Sequence, residues 1–386
     1  MTVYKFIYPT FASQRPIMIN PVSAYAHRLS TFSTEKQNLE KRQKNLPLLR
    51  LGLFLLFAFL VYRYLVIQSV IPAIFACSAF AAFIIFSLID SKLKKRIKRV
   101  EILVRINQKE TDALKGNYEA FDPGNEFVDP SHDYTHDLDI FGKGSLFQYI
   151  NRTATIFGKL RLAEYFGNAF GQSHNVIERQ QAVNELSAMV DLRQNLQLIF
   201  HDEEIRETDK TEISAWIDSE SPVHNLKLLR ILAYGLPAVT FICIILSLAG
   251  IITFPVMLIV VQLIIVFLYA RQTMQVHNSI TSKSKILNKF AHCLVLIEKS
   301  DFNAQYLNNI QKQLVTSEGQ HPSKAIHQLS AILKYMDSNL NILVSIFLNG
   351  LFMFNLHLLL KVEKWKKQNR EYSTAWFESV ATIDAL

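Results

Sequence analysis

The chain has 386 residues, half of them hydrophobic and only 19% charged, with 41 lysine and arginine residues against 33 aspartate and glutamate residues. This composition excludes a disordered chain and disfavours an ordinary soluble globular protein. The three cysteines, Cys77, Cys243 and Cys293, lie far apart in sequence, which excludes a disulfide framework and a cysteine-based zinc site. Glycine and proline are sparse, at 12 and 11 residues, which favours helices over a β-sandwich or barrel.

The first predicted element is an amphipathic helix at the end of a basic N-terminal segment, residues 1–46. Pro21 suits a first helical position, and Tyr25 and Phe32 then lie two helical turns apart on one face. The beginning of the chain lacks the apolar core and small-residue cleavage site of a secretory signal. Because the regular pattern begins only after Pro21, Met18 is an alternative start of the protein.

Two apolar blocks predict transmembrane helical hairpins over residues 47–90 and 228–270. Arg63 is the only charged residue between positions 51 and 89, and positions 231–270 carry no charge. About 20 apolar helical residues cross a hydrocarbon core of about 30 Å, so each block fits two spans and a tight turn. The sequence therefore predicts four spans; the alternative is a pair of buried core helices in each block.

The distribution of basic residues predicts how these hairpins are oriented. The turns within the blocks, near positions 63–72 and 250–255, contain at most one arginine, whereas lysine and arginine flank the block ends. This asymmetry predicts a multi-pass protein of the inner (cytoplasmic) membrane, with the lipid bilayer as a partner and both termini in the cytoplasm. A membrane-surface basic cluster follows the first block and comprises Lys92, Lys94, Lys95, Arg96, Lys98 and Arg99. Anionic lipid is its expected contact, and nucleic acid is the alternative.

The remaining segments also predict helices, so the expected fold class is all-α. Residues 91–136 are a basic juxtamembrane segment and loop, whereas residues 137–227 and 271–386 form two parts of a helical core. Residues 340–360 are apolar too, but polar interruptions and basic residues on both sides favour a buried core helix over a fifth span. Apolar stripes at helical spacing predict core positions at Ile286, Phe290, Cys293, Ile297, Ile326, Leu329, Leu333 and Met336.

Motifs that carry chemistry are scarce. The stretch Phe141-Gly-Lys-Gly-Ser145 departs from the Gly-x-x-x-x-Gly-Lys-[Ser/Thr] phosphate loop, so a turn into a helix capped by Ser145 is the preferred interpretation. Residues 132–139 gather two histidines and three aspartates without a strong metal-ligand spacing, which favours a hydrogen-bonded surface loop over a metal site. No catalytic triad or nucleophile elbow occurs, so no catalytic, cofactor-binding or metal-ligating residue is predicted.

Several stretches resemble a known family. The helix from Ser145, then Arg152-Thr-Ala-Thr-Ile-Phe-Gly158, then Glu178-Arg-Gln-Gln-Ala-Val-Asn-Glu-Leu186 resemble the start of the core (lever) domain of MutS-type DNA mismatch repair proteins. Val380-Ala-Thr-Ile-Asp-Ala-Leu386 is similar to the closing helix of that domain. Leu348-Asn-Gly-Leu-Phe with Leu360-Lys-Val-Glu-Lys-Trp-Lys366 resembles the membrane-embedded, MutS-related subgroup. The resemblance covers about residues 130–386, interrupted by the second hairpin.

The resemblance implies a membrane-anchored lever module of an ATP-dependent DNA-binding protein. The family's Walker motifs belong to a C-terminal domain that has no counterpart in this sequence, so ATP and magnesium are expected only with that ATPase domain. The implied partners are double-stranded DNA, a second copy of the chain and a separate ATPase module; a truncated product is one expectation. Candidate contacts with DNA or a partner are Arg152, Lys159, Arg161, Lys364, Lys366 and Lys367.

The sequence also departs from the family. The family's mismatch reader uses a Phe-x-Glu motif, which occurs nowhere in this chain, and a predicted transmembrane hairpin lies at about the position of the DNA clamp. These departures keep open a second hypothesis, a membrane scaffold or interaction protein that does not bind nucleic acid.

Overall fold

The computed structural model describes residues 20–168, 176–201, 205–253, 255–281, 283–315, 319, 321–338 and 342–386. The alternative start at Met18 lies outside these ranges. Within them the chain consists of helices, turns and irregular segments without a β-strand, which confirms the all-α prediction. The chain divides into an N-terminal compact unit, Gln14–Asn151, and a C-terminal compact unit that holds Arg152–Leu386.

The helices of the N-terminal unit are α1 Pro21–Gln43, α2 Leu46–Ile67, α3 Val70–Ala113 and α4 Leu146–Ile150. Those of the C-terminal unit are α5 Ile156–Gly167, α6 Val176–Ala188, α7 Val190–Phe200, α8 Glu207–Asp218, α9 Leu226–Leu248, α10 Val256–Leu268, α11 Ala270–Thr281, α12 Ser284–Lys299, α13 Gln305–Leu314, α14 Pro322–Ser338, α15 Ile342–Phe352 and α16 Phe354–Ala385.

The first predicted hairpin is formed by α2 and α3. Gln68, in the left-handed region with φ 53°, ends α2 inside the predicted turn. The rings of Phe57 and Phe80, whose centroids are 5.1 Å apart, pack between the two helices. α3 then continues through the basic run as far as Ala113, well into the segment that the sequence assigned to a juxtamembrane region and loop. Lysine and arginine are good helix formers, and the buried Val100 and Leu103 give this extension an apolar face.

Several helices are long and apolar enough to cross a membrane. In the described part of the chain they are Leu226–Leu248, Val70–Ala113 and the apolar part of Pro21–Ile67. Two bent pairs pass the same test, α10 with α11 at 48° and α15 with α16 at 77°, which gives up to five crossings. The described part of the chain thus has between three and five candidate spans, whereas the sequence predicted four. Large apolar side chains such as Leu248, 83% exposed, cover these helices, as a lipid-facing surface requires.

The core of the C-terminal unit lies around α12. Its predicted stripe is confirmed, because Phe290, Cys293 and Ile297 are each at most 1% exposed. The predicted stripe of α14 is buried as well. The ring of Phe290 meets those of Phe200 and Phe377 at centroid distances of 5.3 and 4.8 Å, so α7, α12 and α16 share one aromatic cluster.

The single buried core helix expected over residues 340–360 is not observed. Met353, with φ 48°, separates α15 from α16, and the two helices are bent by 77°. Ile346 and Phe347 on α15 are 52% and 61% exposed, so α15 is not enclosed in a core. Its other face packs on the second hairpin: a Cβ at Gly350 would lie 3.1 Å from Ile259, which shows how closely α15 and α10 approach.

Candidate functional site

The end of α16 is joined to the turn before α5 through one carboxylate. Asp384 accepts hydrogen bonds from the backbone N–H groups of Ala154 and Thr155, both at 2.8 Å, and from the Thr155 hydroxyl at 2.7 Å. Thr155 also caps α5, because its hydroxyl oxygen accepts a hydrogen bond from the N–H of Gly158 at 3.0 Å. These four residues, Ala154, Thr155, Gly158 and Asp384, are called the Asp384 joint below.

The joint requires a glycine at position 158. A Cβ built there would overlap with Oδ2 of Asp384, so any side chain would displace the carboxylate. Burial raises the pKa of Asp384 to about 6, although the hydrogen bonds from Ala154 and Thr155 lower it. The carboxylate lies at the N-terminus of α5, where the helix dipole favours negative charge.

A second contact ties α16 to its neighbours. Glu378 on α16 forms ion pairs with Arg161 on α5 and Lys210 on α8, and Arg161 also pairs with Glu164 at 3.2 Å. Burial raises the pKa of Glu378, but Lys210 and Arg161 outweigh this effect and leave that pKa below its ordinary value. α5, α8 and α16 are therefore connected by ion pairs as well as by the Asp384 joint.

The predicted contact residues do not form one exposed basic surface. Arg152 and Lys159 are half-buried, and the backbone oxygen of Arg152 accepts a hydrogen bond from Gln197 at 3.0 Å. Arg161 is bound to the carboxylates of Glu164 and Glu378. Only Lys364 and Lys367 of the predicted set are fully exposed.

Lys366 is buried, so the prediction that it contacts DNA or a partner at the surface is wrong. The residue is 6% exposed, and its ammonium group donates hydrogen bonds to the backbone oxygen and hydroxyl of Ser219, at 2.7 and 2.9 Å. It also lies 5.4 Å from the centre of the Trp216 ring. Burial lowers the pKa of Lys366. This lysine therefore holds α16 against the end of α8, because helical periodicity turns it inward between Lys364 and Lys367.

The membrane-surface basic cluster lies on α3, immediately after its apolar half. Lys92, Lys94, Lys95, Arg96 and Lys98 are exposed, and Arg99 is half-buried. Lys94 pairs with Asp90 at 3.0 Å, and Arg96 pairs with Glu35 of α1 at 2.7 Å. Two cations of this helical run therefore already form ion pairs within the N-terminal unit.

The glycine-containing loop Phe141–Ser145 uses its amides within the fold. In Phe141–Ser145 the N–H of Gly142 donates to Pro123 at 2.9 Å, and that of Gly144 donates to the side chain of Gln148 at 2.7 Å. These amides are used within the fold, so the residues do not fit a nucleotide phosphate. Among the described residues no group of three or more His, Cys, Asp or Glu side chains could hold a metal ion. Ser145 caps α4 as predicted, accepting from the N–H of Gln148 at 3.1 Å.

The bend between α15 and α16 is built by a buried asparagine. Asn349, 2% exposed, accepts a hydrogen bond from the N–H of Asn355 at 2.9 Å and donates to the backbone oxygen of Ser345 at 2.9 Å. It thereby satisfies an N–H at the start of α16 that no residue of that helix can bond. On α16, His357 hydrogen-bonds to the backbone of Ala233, where Pro237 interrupts the hydrogen bonding of α9.

Replacing Asn349 with alanine is expected to destabilise the bend by about 1 to 3 kcal/mol, because the hydrogen bond that the N–H of Asn355 donates to the Asn349 side chain is lost. The measurement is thermal unfolding in detergent, followed by circular dichroism. Ser345→Ala is the matched control, since it removes one hydroxyl acceptor at 3.1 Å and leaves the bond to Asn355 intact. Equal melting temperatures for the two variants would contradict the assignment.

The sequence did not identify Asp384 as a site residue, nor the buried ion pair of Lys283 with Asp209. A signal for Asp384 existed: it is the only acidic residue in the apolar closing stretch Val380–Leu386. Its partners lie 229 and 230 positions earlier, a separation across which periodicity carries no information.

No protein-family model, curated protein or solved structure matches the chain. The MutS resemblance therefore depends on the quoted stretches of sequence alone. What the geometry adds is a physical relation between two of these stretches, Arg152–Gly158 and Val380–Leu386, which meet in the Asp384 joint.

Proposed function

We propose that the chain is a membrane-anchored, MutS-like core and lever module of an ATP-dependent DNA-binding protein. The observation that carries this proposal is the placement of α16. Its first turns lie against the apolar helix α9, where the rings of His357 and Tyr234 are 4.5 Å apart, and its last turn enters the Asp384 joint. With 32 residues the helix is about 48 Å long, so it links two distant regions of the unit.

The lever role follows from how α16 is held. A helix transmits displacement when it is fixed at both ends and packed between them. α16 is fixed by the bend at Asn349, by Lys366 on Ser219, and by the ion pairs of Glu378. A displacement of the apolar helices would therefore be transmitted along α16 to the turn before α5 with little reduction in its size. The resemblance of both ends of this path to MutS-type sequences supports the family assignment.

The proposed setting is the inner membrane, with several spans and both termini in the cytoplasm. ATP and magnesium would bind to an ATPase module that works with this chain, since the loop Phe141–Ser145 does not fit a nucleotide. Double-stranded DNA and a second copy of the chain are further proposed partners.

Binding to duplex DNA tests the nucleic-acid part of the proposal. The protein is reconstituted in lipid nanodiscs of neutral lipid, and fluorescence anisotropy of a labelled duplex is measured at increasing salt. Electrostatic binding to phosphates weakens steeply as salt rises, so affinity should fall by about tenfold or more between low and physiological salt. Absence of binding at the lowest salt would overturn the DNA-binding function.

Charge reversal at Lys364 and Lys367 is expected to weaken duplex binding by about tenfold, because each exposed lysine that meets a phosphate contributes to affinity through counterion release. The same anisotropy titration measures it. The matched control reverses Lys312 and Lys324, which are also exposed and give the same net charge. If both double variants lose affinity equally, only overall charge matters, and the patch is excluded.

A second candidate function is a membrane scaffold that binds another protein and no nucleic acid. The observation in its favour is that two of the predicted basic contact residues have partners within the fold: Lys366 is buried, and Arg161 is paired with carboxylates. Under this hypothesis the duplex titration shows no binding, whereas crosslinking in intact membranes captures the chain with a protein partner.

A further inference from the structure

Two groups of basic residues that are far apart in sequence lie at the same end of the N-terminal hairpin. Arg50 of α2 and Lys94 of α3 both form ion pairs with Asp90, at 2.7 and 3.0 Å. Asp90 is 1% exposed, so this cluster fixes the start of α2 beside the point where α3 leaves its apolar stretch. The two residues between α1 and α2, Lys44 and Asn45, are therefore held near that level.

α1 runs back along the part of α3 that follows the apolar stretch. Arg96 pairs with Glu35 at 2.7 Å and Lys36 pairs with Glu101 at 3.2 Å, so the two helices are side by side. Because α1 passes directly into α2, the C-terminal end of α1 lies at the hairpin end that Asp90 marks. The last turn of α1 and the first basic turn of α3 thus meet at one level.

The acidic residues of this region are already neutralised. Between positions 20 and 101 the sequence has four of them, and each forms an ion pair. They are Glu35, Glu40, Asp90 and Glu101. Their partners are Arg96, Lys36, Arg50 and Lys94. These four carboxylates therefore already have cation partners within the unit.

Five exposed cations remain at the hairpin end, and none forms an ion pair within the described part of the unit. They are Lys41, Arg42, Lys44, Lys92 and Lys95, and are called the basic collar. Lys92 follows the last apolar residue of its span, Ile89, by three positions, or about 4.5 Å of helix axis. This distance puts the collar at the depth of lipid head groups if the apolar stretch lies in the hydrocarbon.

We propose that the basic collar binds the head groups of anionic phospholipids in the leaflet on that side of the membrane. Charge complementarity carries the choice of occupant, because juxtamembrane lysines and arginines are attracted to an anionic surface within a Debye length. The two sequence-distant groups, one at the end of α1 and one on α3, flank the cluster of Arg50, Lys94 and Asp90, which itself carries one net positive charge, and they are proposed to form one site. The inference does not rest on the proposed lever function.

The test reconstitutes the full chain in phosphatidylcholine vesicles and adds spin-labelled phosphatidylglycerol or phosphatidylcholine. Electron paramagnetic resonance gives the fraction of each lipid that the protein immobilises. The wild type should prefer phosphatidylglycerol by about fivefold or more, and high salt should reduce this preference. The collar variant replaces the five cations with glutamine and should show no preference. A matched variant replaces Lys285, Lys299, Lys312, Lys324 and Lys334 of the C-terminal unit and should keep it.

Equal immobilisation of both lipids by the wild type would overturn the proposal, as would an unchanged preference in the collar variant. If the collar variant does not fold, the salt series on the wild type decides. A preference that persists unchanged at high salt excludes an electrostatic site, whereas its loss supports the collar.

Discussion

Replacing Asp384 with alanine is expected to destabilise the C-terminal unit by about 3 to 5 kcal/mol. This is the largest loss of stability that we expect from any single substitution. The substitution leaves the N–H groups of Ala154 and Thr155 without acceptors and frees the last turn of α16. Unfolding by urea in detergent measures this loss. The fluorescence of Trp216, Trp365 and Trp376 reports it, because all three are buried.

Asp384→Asn should cost less than Asp384→Ala, since one acceptor oxygen remains. Glu371→Ala is the matched control, because Glu371 is an exposed acidic residue on the same helix. Its free energy of unfolding should stay within about 0.5 kcal/mol of the wild type. A similar loss for Glu371→Ala and Asp384→Ala would show that the joint adds no specific stability.

A double-mutant cycle with Gly158→Ala tests the geometry of the joint. Alanine normally stabilises a helix relative to glycine by about 1 kcal/mol, yet here it should destabilise because its Cβ collides with the Asp384 carboxylate. In an Asp384→Ala background the carboxylate atoms are removed and only the Cβ at position 384, 2.7 Å from the added Cβ, remains, so the added cost of Gly158→Ala should become smaller. Gly235→Ala, which meets no atom within 4 Å, is the control. Additive free energies would contradict the contact.

Replacing Lys283 with methionine is the second change with a large expected effect, a loss of about 2 to 4 kcal/mol. Lys283, 7% exposed, pairs with Asp209, 1% exposed, and with Glu212 at 2.7 Å. Methionine fills the space but leaves the buried Asp209 carboxylate without its nearest cation, and only the more distant Arg206, at 3.7 Å, remains. The same urea titration measures the effect, and Lys285→Met is the control, because Lys285 is an exposed lysine in the first turn of α12, which Lys283 precedes.

The pH dependence of this effect has a defined sign. Burial raises the pKa of Asp209, but the hydrogen bonds from Lys283 and from the backbone of Arg206 leave it below the ordinary value of 3.8. The hydrogen bonds to Asp209 and Glu212 raise the pKa of Lys283 above 10.5. The stability that the pair contributes is therefore present between pH 3.8 and pH 10.5, the ordinary pKa values of the two groups. It is lost as the pH falls through the lowered pKa or rises through the raised one.

The difference in unfolding free energy between wild type and Lys283→Met should accordingly be constant near neutral pH and shrink in acid. A difference that grows as the pH falls below about 4 would contradict the assigned ion pair. The double variant Asp209→Asn with Lys283→Met should recover part of the stability, because it removes the buried charge as well.

These contacts bear on the proposed lever in different ways. The Asp384 joint and the ion pairs of Glu378 fix the far end of α16, whereas Asn349 fixes the end near the apolar helices. If α16 transmits movement, removing the contacts at one of its ends should uncouple the two regions. The contacts at the other end should stay intact. The lipid preference of the basic collar, in the other unit, should be unaffected by all of these substitutions.

The sequence by itself determined the all-α fold class and the positions of most helices. Long uncharged runs indicated the apolar hairpins, and the turn after α2 fell where the pattern placed it. Helical spacing identified the buried faces of α12 and α14, and local chemistry identified the cap at Ser145. These features depend on neighbouring residues, whose preferences act over a few positions and can be read from the chain.

Only the tertiary structure decided which polar residues act together. It turned Lys366 inward onto Ser219, divided the apolar stretch at Met353, and brought Asp384 to Thr155. Each of these outcomes depends on the direction of a side chain or on a partner that is distant in sequence. Composition and periodicity specify how apolar a helix face is, but the hydrogen-bond partners of a buried charge are set by packing between helices, which a single chain pattern does not encode.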